Sequence, residues 1–228
     1  MLSGRIELGT SIGSMTDSMF FDLTRMFPVL PNGKSFRPVD LLLGKEHPEI
    51  YVYDVSSEWK QVIMVNNSTE SPLTISAPIA GDQPTLGSIG FKSTEKYLVF
   101  DFWNQKPLGI LSGNENLSQN LDKGEALIYS IKKLENHPQI IGTNRHVMCG
   151  MFETQNENWE GSTLKFNASV IEGETIKITV HLPEGNKMEV KTLVANNAKS
   201  SYSIQGDYLT ITLLNKSKNA NTGVVVTF

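Results

Sequence analysis

The chain has 228 residues and a mass of 25.3 kDa, with 20 Lys+Arg against 24 Asp+Glu, a formal net charge of -4 and a pI near 5.6. Its 39% hydrophobic and 19% charged residues are ordinary for globular proteins and exclude disorder of the whole chain. The mild acidity and the absence of a Lys/Arg block argue against a nucleic-acid partner. No run of residues approaches the length of about 18 apolar residues that a membrane span needs. We therefore expect one large domain or two small ones, with neither nucleic acid nor a membrane as a partner.

Residues 1–45 differ in pattern from the rest of the chain. Arg5–Leu8 can form a short strand, and Thr16 suits the N-cap of a helix because its hydroxyl can accept a hydrogen bond from a first-turn amide. The apolar residues that follow recur at helical spacing: Met19, Phe20, Leu23, Met26 and Phe27. Pro28 and Pro31 are expected to end this helix. Glu7 lies where a signal peptide needs apolar residues, so no export signal is legible and the localisation stays undetermined.

A first β unit begins near Ile50, where the apolar period changes from 3.6 to 2. The predicted strands, separated by turn-forming Asn, Ser, Gly and Pro clusters, are Ile50–Asp54, Trp59–Asn66, Leu73–Ala77, Tyr97–Trp103 and Ala126–Leu134. The run Tyr97–Trp103 is apolar on both faces except at Asp101, which predicts a central strand covered on both sides. For Asp101 and the aromatic residues beside it, we favour core packing with a polar strand end over a ligand contact.

A second β unit follows Asn144 and shows the clearest alternation in the sequence. The apolar residues expected to face its core are Leu164, Phe166, Ala168, Val170, Ile176, Ile178, Val180, Leu182, Met188, Val190, Val194, Leu209, Ile211, Leu213, Val224, Val226 and Phe228. Short strands with one polar face are typical of a small antiparallel sandwich. The sequence therefore predicts a mainly β protein with two consecutive antiparallel β-sandwich domains. We place them at residues 46–143 and 144–228, after an N-terminal segment at residues 1–45.

The sequence carries few signs of catalytic chemistry. Cys149 is the single cysteine, and in an extended strand its distance of three residues from His146 would put the two side chains on opposite faces. We expect Cys149 to be a buried structural residue. The four histidines lack the spacing that lets a helix bind zinc, so no metal is predicted. No nucleotide or dinucleotide motif is present, so no cofactor is predicted. Two carboxylates would suffice for glycoside hydrolysis, but sequence alone does not select them among 24 acidic residues.

Tryptophans are the remaining candidates for a ligand site, because sugar rings stack on exposed aromatic faces. The three are Trp59, Trp103 and Trp159. Trp159 follows a polar stretch and is expected to be the most exposed, although an ordinary packed or domain-interface role remains the simpler alternative. The candidate carbohydrate-binding residues are thus Trp159, Trp103 and Asp101.

Three stretches together resemble the C-terminal regions of bacterial α-galactosidase-like (melibiase-type) glycoside hydrolases. They are Ser35-Phe-Arg-Pro-Val-Asp-Leu41, Tyr97-Leu-Val-Phe-Asp-Phe-Trp-Asn-Gln-Lys-Pro-Leu-Gly109 and His137-Pro-Gln-Ile-Ile-Gly-Thr-Asn-Arg-His146. The resemblance covers roughly residues 1–150, and residues 151–228 match only in general character. In that family a (β/α)₈ barrel precedes an antiparallel β-sandwich and often a further β module. The resemblance implies that residues 1–45 hold a strand-helix remnant of the barrel, with its linker.

The same resemblance implies that this chain lacks the catalytic machinery. A barrel takes about 250 residues and draws its catalytic side chains from the ends of several strands. Both catalytic aspartates of the family lie on earlier barrel strands, so no catalytic residue is transferred to this chain. We expect a non-catalytic C-terminal portion of such a hydrolase, whose parent enzyme could be exported.

Two other hypotheses remain open: a free-standing carbohydrate-binding module, and a structural or adhesive β-sandwich without a small ligand. If the chain is a carbohydrate-binding module, Trp159→Ala should abolish sugar binding without lowering the melting temperature. The partner of the chain would be carbohydrate, the missing barrel, or a second copy associating through the N-terminal helix. An apolar helix stripe without its barrel is expected to self-associate or to leave the N-terminus mobile.

Overall fold

The computed structural model describes residues 12–30, 34–81, 86–183, 188–215, 218 and 220–228. The protein is mainly β, with 51% strand and 7% helix, and its sheets are antiparallel. The chain divides into two compact units, Met1–Leu134 and Glu135–Phe228. The sequence placed this boundary between residues 143 and 144. In the structure the segment Gln139–Thr143 pairs with a strand of the second unit, so it belongs to that unit.

The N-terminal segment contains one short helix, α1 (Asp17–Thr24), after a 3₁₀ turn at Ile12–Ser14. The predicted cap is confirmed, because the Met19 amide donates to Thr16 Oγ1 at 3.2 Å. The helix ends at Thr24, before the prolines that were expected to end it. The side chains of Arg25 and Thr24 bond the carbonyl oxygen of Phe21 at 3.0 and 2.7 Å, so they satisfy a carbonyl of the last turn. The predicted strand Arg5–Leu8 lies outside the described residues.

The first unit packs a small sheet onto one face of a larger one. Its strands are β1 (Arg37–Pro38), β2 (Ile50–Asp54), β3 (Trp59–Val65), β4 (Leu73–Pro78), β5 (Lys96–Asp101), β6 (Lys106–Ser112), β7 (Asn116–Leu121) and β8 (Ala126–Lys133). A six-stranded sheet has the order β1-β2-β3-β8-β5-β6, and β4 pairs with β7. A 3₁₀ turn at Leu41–Leu43 lies between β1 and β2. Ile75 and Leu117 of the small sheet share one apolar core with Val62 and Tyr129 of the large sheet. The strand containing Tyr97 and Phe100 is buried on both faces, as predicted.

The second unit has two four-stranded antiparallel sheets around one apolar core. Its strands are β9 (Gln139–Thr143), β10 (Thr154–Glu160), β11 (Thr163–Val170), β12 (Thr175–His181), β13 (Thr192–Ala195), β14 (Lys199–Gln205), β15 (Tyr208–Leu214) and β16 (Ala220–Thr227). The sheet orders are β10-β11-β16-β13 and β14-β15-β12-β9. The predicted alternation is confirmed on β11, β12, β15 and β16, whose apolar residues fill this core.

The expected orientation of Val194 is wrong. Leu193 and Ala195 pack against the core, whereas Val194 is 51% exposed. Met188 and Val190 also pack against the core, so the inward-facing positions change from even to odd numbers between Val190 and Leu193. A period-2 pattern carried across an irregular segment therefore assigns the wrong face.

Candidate functional site

Asp101 organises the turn that joins β5 to β6. It is 4% exposed and accepts hydrogen bonds from the backbone amide of Asn104 at 3.1 Å and from its side-chain amide at 2.8 Å. Gln105, in the same turn, adopts a positive φ of 50° and donates its backbone amide to the carbonyl of Phe102 at 3.3 Å. The two oxygens of the Asp101 carboxylate thus each accept a hydrogen bond from Asn104 and hold a tight turn.

Trp103 lies in that turn and is the most exposed of the three tryptophans. It is 37% exposed, whereas Trp59 and Trp159 are partly buried. Its ring meets the buried ring of Phe102 edge-on, with centroids 5.0 Å apart and planes at 72°. Asn104 and Gln105 are exposed beside it. The turn therefore offers an aromatic surface next to polar side chains, which is the combination that a sugar-stacking contact uses.

Trp159 belongs to the second unit and packs against its core. Its ring stacks on His137, with centroids 5.9 Å apart and planes at 5°, and lies 5.8 Å from the ring of Phe228. Trp159 pairs across the strands with Leu164, which is fully buried, so both side chains point to the core face. The expectation that Trp159 is the most exposed tryptophan is therefore wrong. The structure brings Asp101 and Trp103 together in one turn and places Trp159 in the other unit.

Trp59 is held by polar partners on the large sheet of the first unit. Its indole N–H donates to Ser130 Oγ at 2.9 Å, and the Lys132 ammonium lies 3.9 Å from the ring centroid. A lysine over the ring face leaves that face unavailable for stacking on a sugar.

The segment around Cys149 is a buried turn and not the extended strand that the sequence suggested. The Cys149 amide donates to the carbonyl of His146 at 2.8 Å, and its thiol lies 3.6 Å from the carbonyl of Val147. Cys149 is fully buried. His146 Nδ1 accepts the Met148 amide at 3.0 Å. This nitrogen is therefore occupied and does not act as a base toward the thiol.

Glu153 is a buried carboxylic acid in the same region. It is 4% exposed, and Thr143 Oγ1 donates to its Oε1 at 3.0 Å. Its Oε2 makes no hydrogen bond within the described residues. The pKa of Glu153 is raised, because burial outweighs the hydrogen bonds that lower it. Those bonds come from the Thr143 hydroxyl and from backbone amides, including those of His146 and Phe152. The described part of the chain contains no group of three or more histidine, cysteine or carboxylate side chains that could hold a metal ion.

A polar cavity of about 370 Å³ lies in the first unit, at the outer strands of the large sheet. It is lined by Lys34, Ser35, Arg37, Tyr53 and Asp54. We call this set the β1–β2 cavity. β1 is the edge strand of the sheet, and β2 lies next to it. Their pairing puts Arg37 opposite Val52, which brings Arg37 close to Asp54.

Asp54 is the charged centre of the β1–β2 cavity. One carboxylate oxygen pairs with Arg37 Nη2 and the other with Lys60 Nζ. Burial raises the pKa of Asp54, but the hydrogen bonds and charges of Lys60 and Arg37 outweigh it and hold the pKa below its usual value. Asp54 is therefore ionised at neutral pH.

Tyr53 lies beside the cavity, but its hydroxyl oxygen is buried and inaccessible. The side chain is 2% exposed and packs on Phe36, with ring centroids 5.4 Å apart. Its Oη forms no hydrogen bond with any residue that the structure describes. Burial raises the pKa of this phenol, so the hydroxyl keeps its proton and remains a donor.

The sequence identified the stretches that contain Arg37 and Asp54 but not the pairing of these two residues. Arg37 belongs to the Ser35–Leu41 stretch that was singled out, and Asp54 ends a correctly predicted strand. The pairing of two residues separated by 17 positions is not visible in a period-2 pattern.

Comparison with known proteins adds no identification. No protein-family model matches the sequence, and no curated protein matches it. Within the described residues, no helix is long and apolar enough to cross a membrane.

Proposed function

We propose that this chain is the non-catalytic C-terminal β portion of an α-galactosidase-like glycoside hydrolase. In this proposal the two units are β-sandwich domains, and the N-terminal segment is the last strand and helix of a (β/α)₈ barrel. The chain supports that barrel and contacts carbohydrate. The proposal starts from the resemblance of residues 1–150 and gains its main support from helix α1.

Helix α1 exposes the apolar side chains that a globular protein normally buries. Leu23 is its one buried residue, at 9% exposure. The exposed side chains in and just after the helix are Met19 at 50%, Phe20 at 51%, Phe21 at 56% and Phe27 at 46%. Contiguous exposed apolar surface marks an interaction site. A barrel that packs on α1 would bury this surface, and this is the observation that carries the proposal.

The stretch Ser35–Leu41 supports a linker that fixes a preceding domain. Asp40 is fully buried and accepts hydrogen bonds from the amides of Glu49 at 2.9 Å and Ile50 at 3.3 Å. Lys45 lies 3.5 Å from the same carboxylate. These bonds tie the end of the stretch to the start of β2, so the segment before β2 is anchored rather than free.

An immunodepletion experiment tests the proposal. An antibody against residues 188–215 is used to remove the chain from a lysate of its source cells, and hydrolysis of an aryl α-galactoside is measured before and after. The proposal predicts that activity falls with the antigen and that the pure 228-residue chain hydrolyses nothing. Activity that survives complete depletion, or turnover by the pure chain, would refute it.

The exposed Trp103 favours a second candidate, a carbohydrate-binding module. Its fluorescence can be titrated with galactose, melibiose and raffinose, with Trp103→Ala as the test variant and Trp59→Phe as the matched control. The module predicts a saturable change that Trp103→Ala abolishes and Trp59→Phe retains. A silent titration would favour a structural or adhesive role without a small ligand.

A further inference from the structure

β14 is an edge strand, and in the described part of the chain no strand pairs with its outer side. It begins the sheet order β14-β15-β12-β9, and all seven of its residues, Lys199–Gln205, are exposed. It pairs with β15 without a bulge along its whole length and contains no proline. The other edges of the second unit are short or irregular: β13 has four residues, and the register shifts where β10 pairs with β11 and where β9 pairs with β12. A long and regular edge strand is open to pairing with another chain.

The geometry of the β14–β15 hairpin decides which backbone groups point outward. Gly206 and Asp207 form its two-residue turn, and Gly206 has a positive φ of 57°. The Asp207 carbonyl accepts the Leu182 amide at 2.7 Å, so the backbone of the next residue, Tyr208, faces β14 and bonds with Gln205. Because this direction alternates along a strand, the residues of β14 whose N–H and C=O groups point away from β15 are Ser200, Tyr202 and Ile204.

The side chains of β14 leave an apolar strip uncovered at the edge of the sheet. Tyr202 and Ile204 are 47% and 44% exposed. They stand opposite Ile211 and Leu209 of β15, which are fully buried, so both lie on the core-facing side of the sheet. The Tyr202 hydroxyl donates to the Val190 carbonyl at 3.4 Å. A second β14 strand, antiparallel to the first about a two-fold axis at Tyr202, brings Ile204 of one copy diagonally against Tyr202 of the other.

The charges of β14 agree with this antiparallel arrangement. Lys199 is the one charged residue of the strand and lies at its start, whereas the turn after its end carries Asp207. With the axis at Tyr202, Lys199 of one copy lies opposite Gln205 of the other and so close to its Asp207. The two-fold symmetry repeats this contact at the other end of the pair. Opposite charges therefore meet at both ends, and no like charges stand opposite each other along Lys199–Gln205.

We infer that β14 pairs with β14 of a second copy of this chain, antiparallel about a two-fold axis at Tyr202. The pairing joins the β14-β15-β12-β9 sheets of the two copies into one continuous sheet. The outward N–H groups of each copy donate to the outward C=O groups of the other. β14 belongs to the second unit and α1 to the first, so this surface differs from the apolar surface of α1. The inference does not depend on the proposed hydrolase function.

Hydrogen exchange of the intact chain, measured over a range of concentrations together with sedimentation, tests the pairing. We expect the outward amides of Ser200, Tyr202 and Ile204 to gain protection as the concentration rises. The amides of Ser201 and Ser203 bond to β15 and should change little. Outward amides that stay unprotected at every concentration would overturn the inference and would leave this edge to a strand of an unrelated partner.

Opposite charges at position 202 test the two-fold axis. Tyr202→Lys and Tyr202→Glu each place like charges opposite each other at the axis, so each variant alone should associate about tenfold more weakly or less. An equimolar mixture of the two should associate again, because the substituted side chains then attract. All variants are made in a Phe20→Ser chain, which removes association through α1. Val194→Lys is the matched control, because Val194 is 51% exposed on the neighbouring edge strand β13 and should leave the association unchanged.

The variants also define the contrary results. Tyr202→Lys that associates as tightly as Val194→Lys would overturn the inference. A mixture that associates no better than its two components would overturn the axis at Tyr202. The exchange experiment uses the unmodified chain, so it decides the inference even if a variant at position 202 unfolds.

Discussion

Removal of the Asp101 carboxylate should destabilise the first unit, because this side chain holds the β5–β6 turn. It accepts two hydrogen bonds from Asn104, at 3.1 and 2.8 Å, while 4% exposed. Each hydrogen bond to a charged group contributes about 1.5–3 kcal/mol, and Asn104 regains part of this from water because it is exposed. We therefore expect Asp101→Ala to cost about 2–3 kcal/mol of unfolding free energy.

The assay is urea unfolding followed by tryptophan fluorescence, together with hydrogen exchange of the Asn104 amide. Asn104→Ala should cost about 1 kcal/mol, since it removes the side-chain bond alone. The double variant should show a coupling of about 1 kcal/mol in a mutant cycle. Asp122→Ala is the matched control, because Asp122 is an exposed turn residue whose carboxylate has no described partner; it should change stability by less than about 0.5 kcal/mol.

A cost below about 0.5 kcal/mol for Asp101→Ala, or an unchanged exchange rate at Asn104, would refute this reasoning. A variant that kept its stability but lost carbohydrate binding would instead make Asp101 a ligand contact.

Three further results are expected. Trp159→Ala should lower the free energy of unfolding in urea by about 2 kcal/mol, because its half-buried ring packs on the core of the second unit. Trp103→Ala should lower it clearly less, because this ring is more exposed. Equal losses in the two variants would contradict these placements. Phe20 is 51% exposed, so Phe20→Ser should reduce self-association in sedimentation without lowering the melting temperature. Leu23 is 9% exposed, so Leu23→Ala should lower the melting temperature. A chain that is monomeric at all concentrations would contradict the exposed-surface argument. Above pH 4.5 the folded chain keeps the Glu153 proton that the unfolded chain releases, so the free energy of unfolding falls as the pH rises; at lower pH Glu153 is protonated in both states. Glu153→Gln should flatten this fall. Parallel pH profiles for the variant and the unmodified chain would contradict the raised pKa.

The parts of the fold that were predicted are those where burial repeats on every second residue. On β11, the residues from Leu164 to Val170 alternate between core and solvent, so the pattern alone identifies the strand. By contrast, β14 is exposed along its whole length and β10 along most of it, so neither has an apolar face that a pattern could detect. Such edge strands are defined by backbone pairing with a neighbour, which the sequence does not display.

The candidate site divides in the same way. The sequence identified Asp101 and Trp103 because they interrupt or end an apolar run. It misjudged Trp159, because the polar residues before it belong to an exposed edge strand. The strand register puts Trp159 on the same face of the sheet as the buried Leu164. It missed the Arg37–Asp54 pair because strand pairing alone brings these residues together.

The native mass of the protein in its source cells tests the central proposal most directly. An immunoblot with an antibody against residues 151–228 reports that mass. The proposed hydrolase predicts a band larger than 25.3 kDa by at least a barrel of roughly 250 residues. A single band near 25.3 kDa would contradict it and would give precedence to the binding-module and structural alternatives.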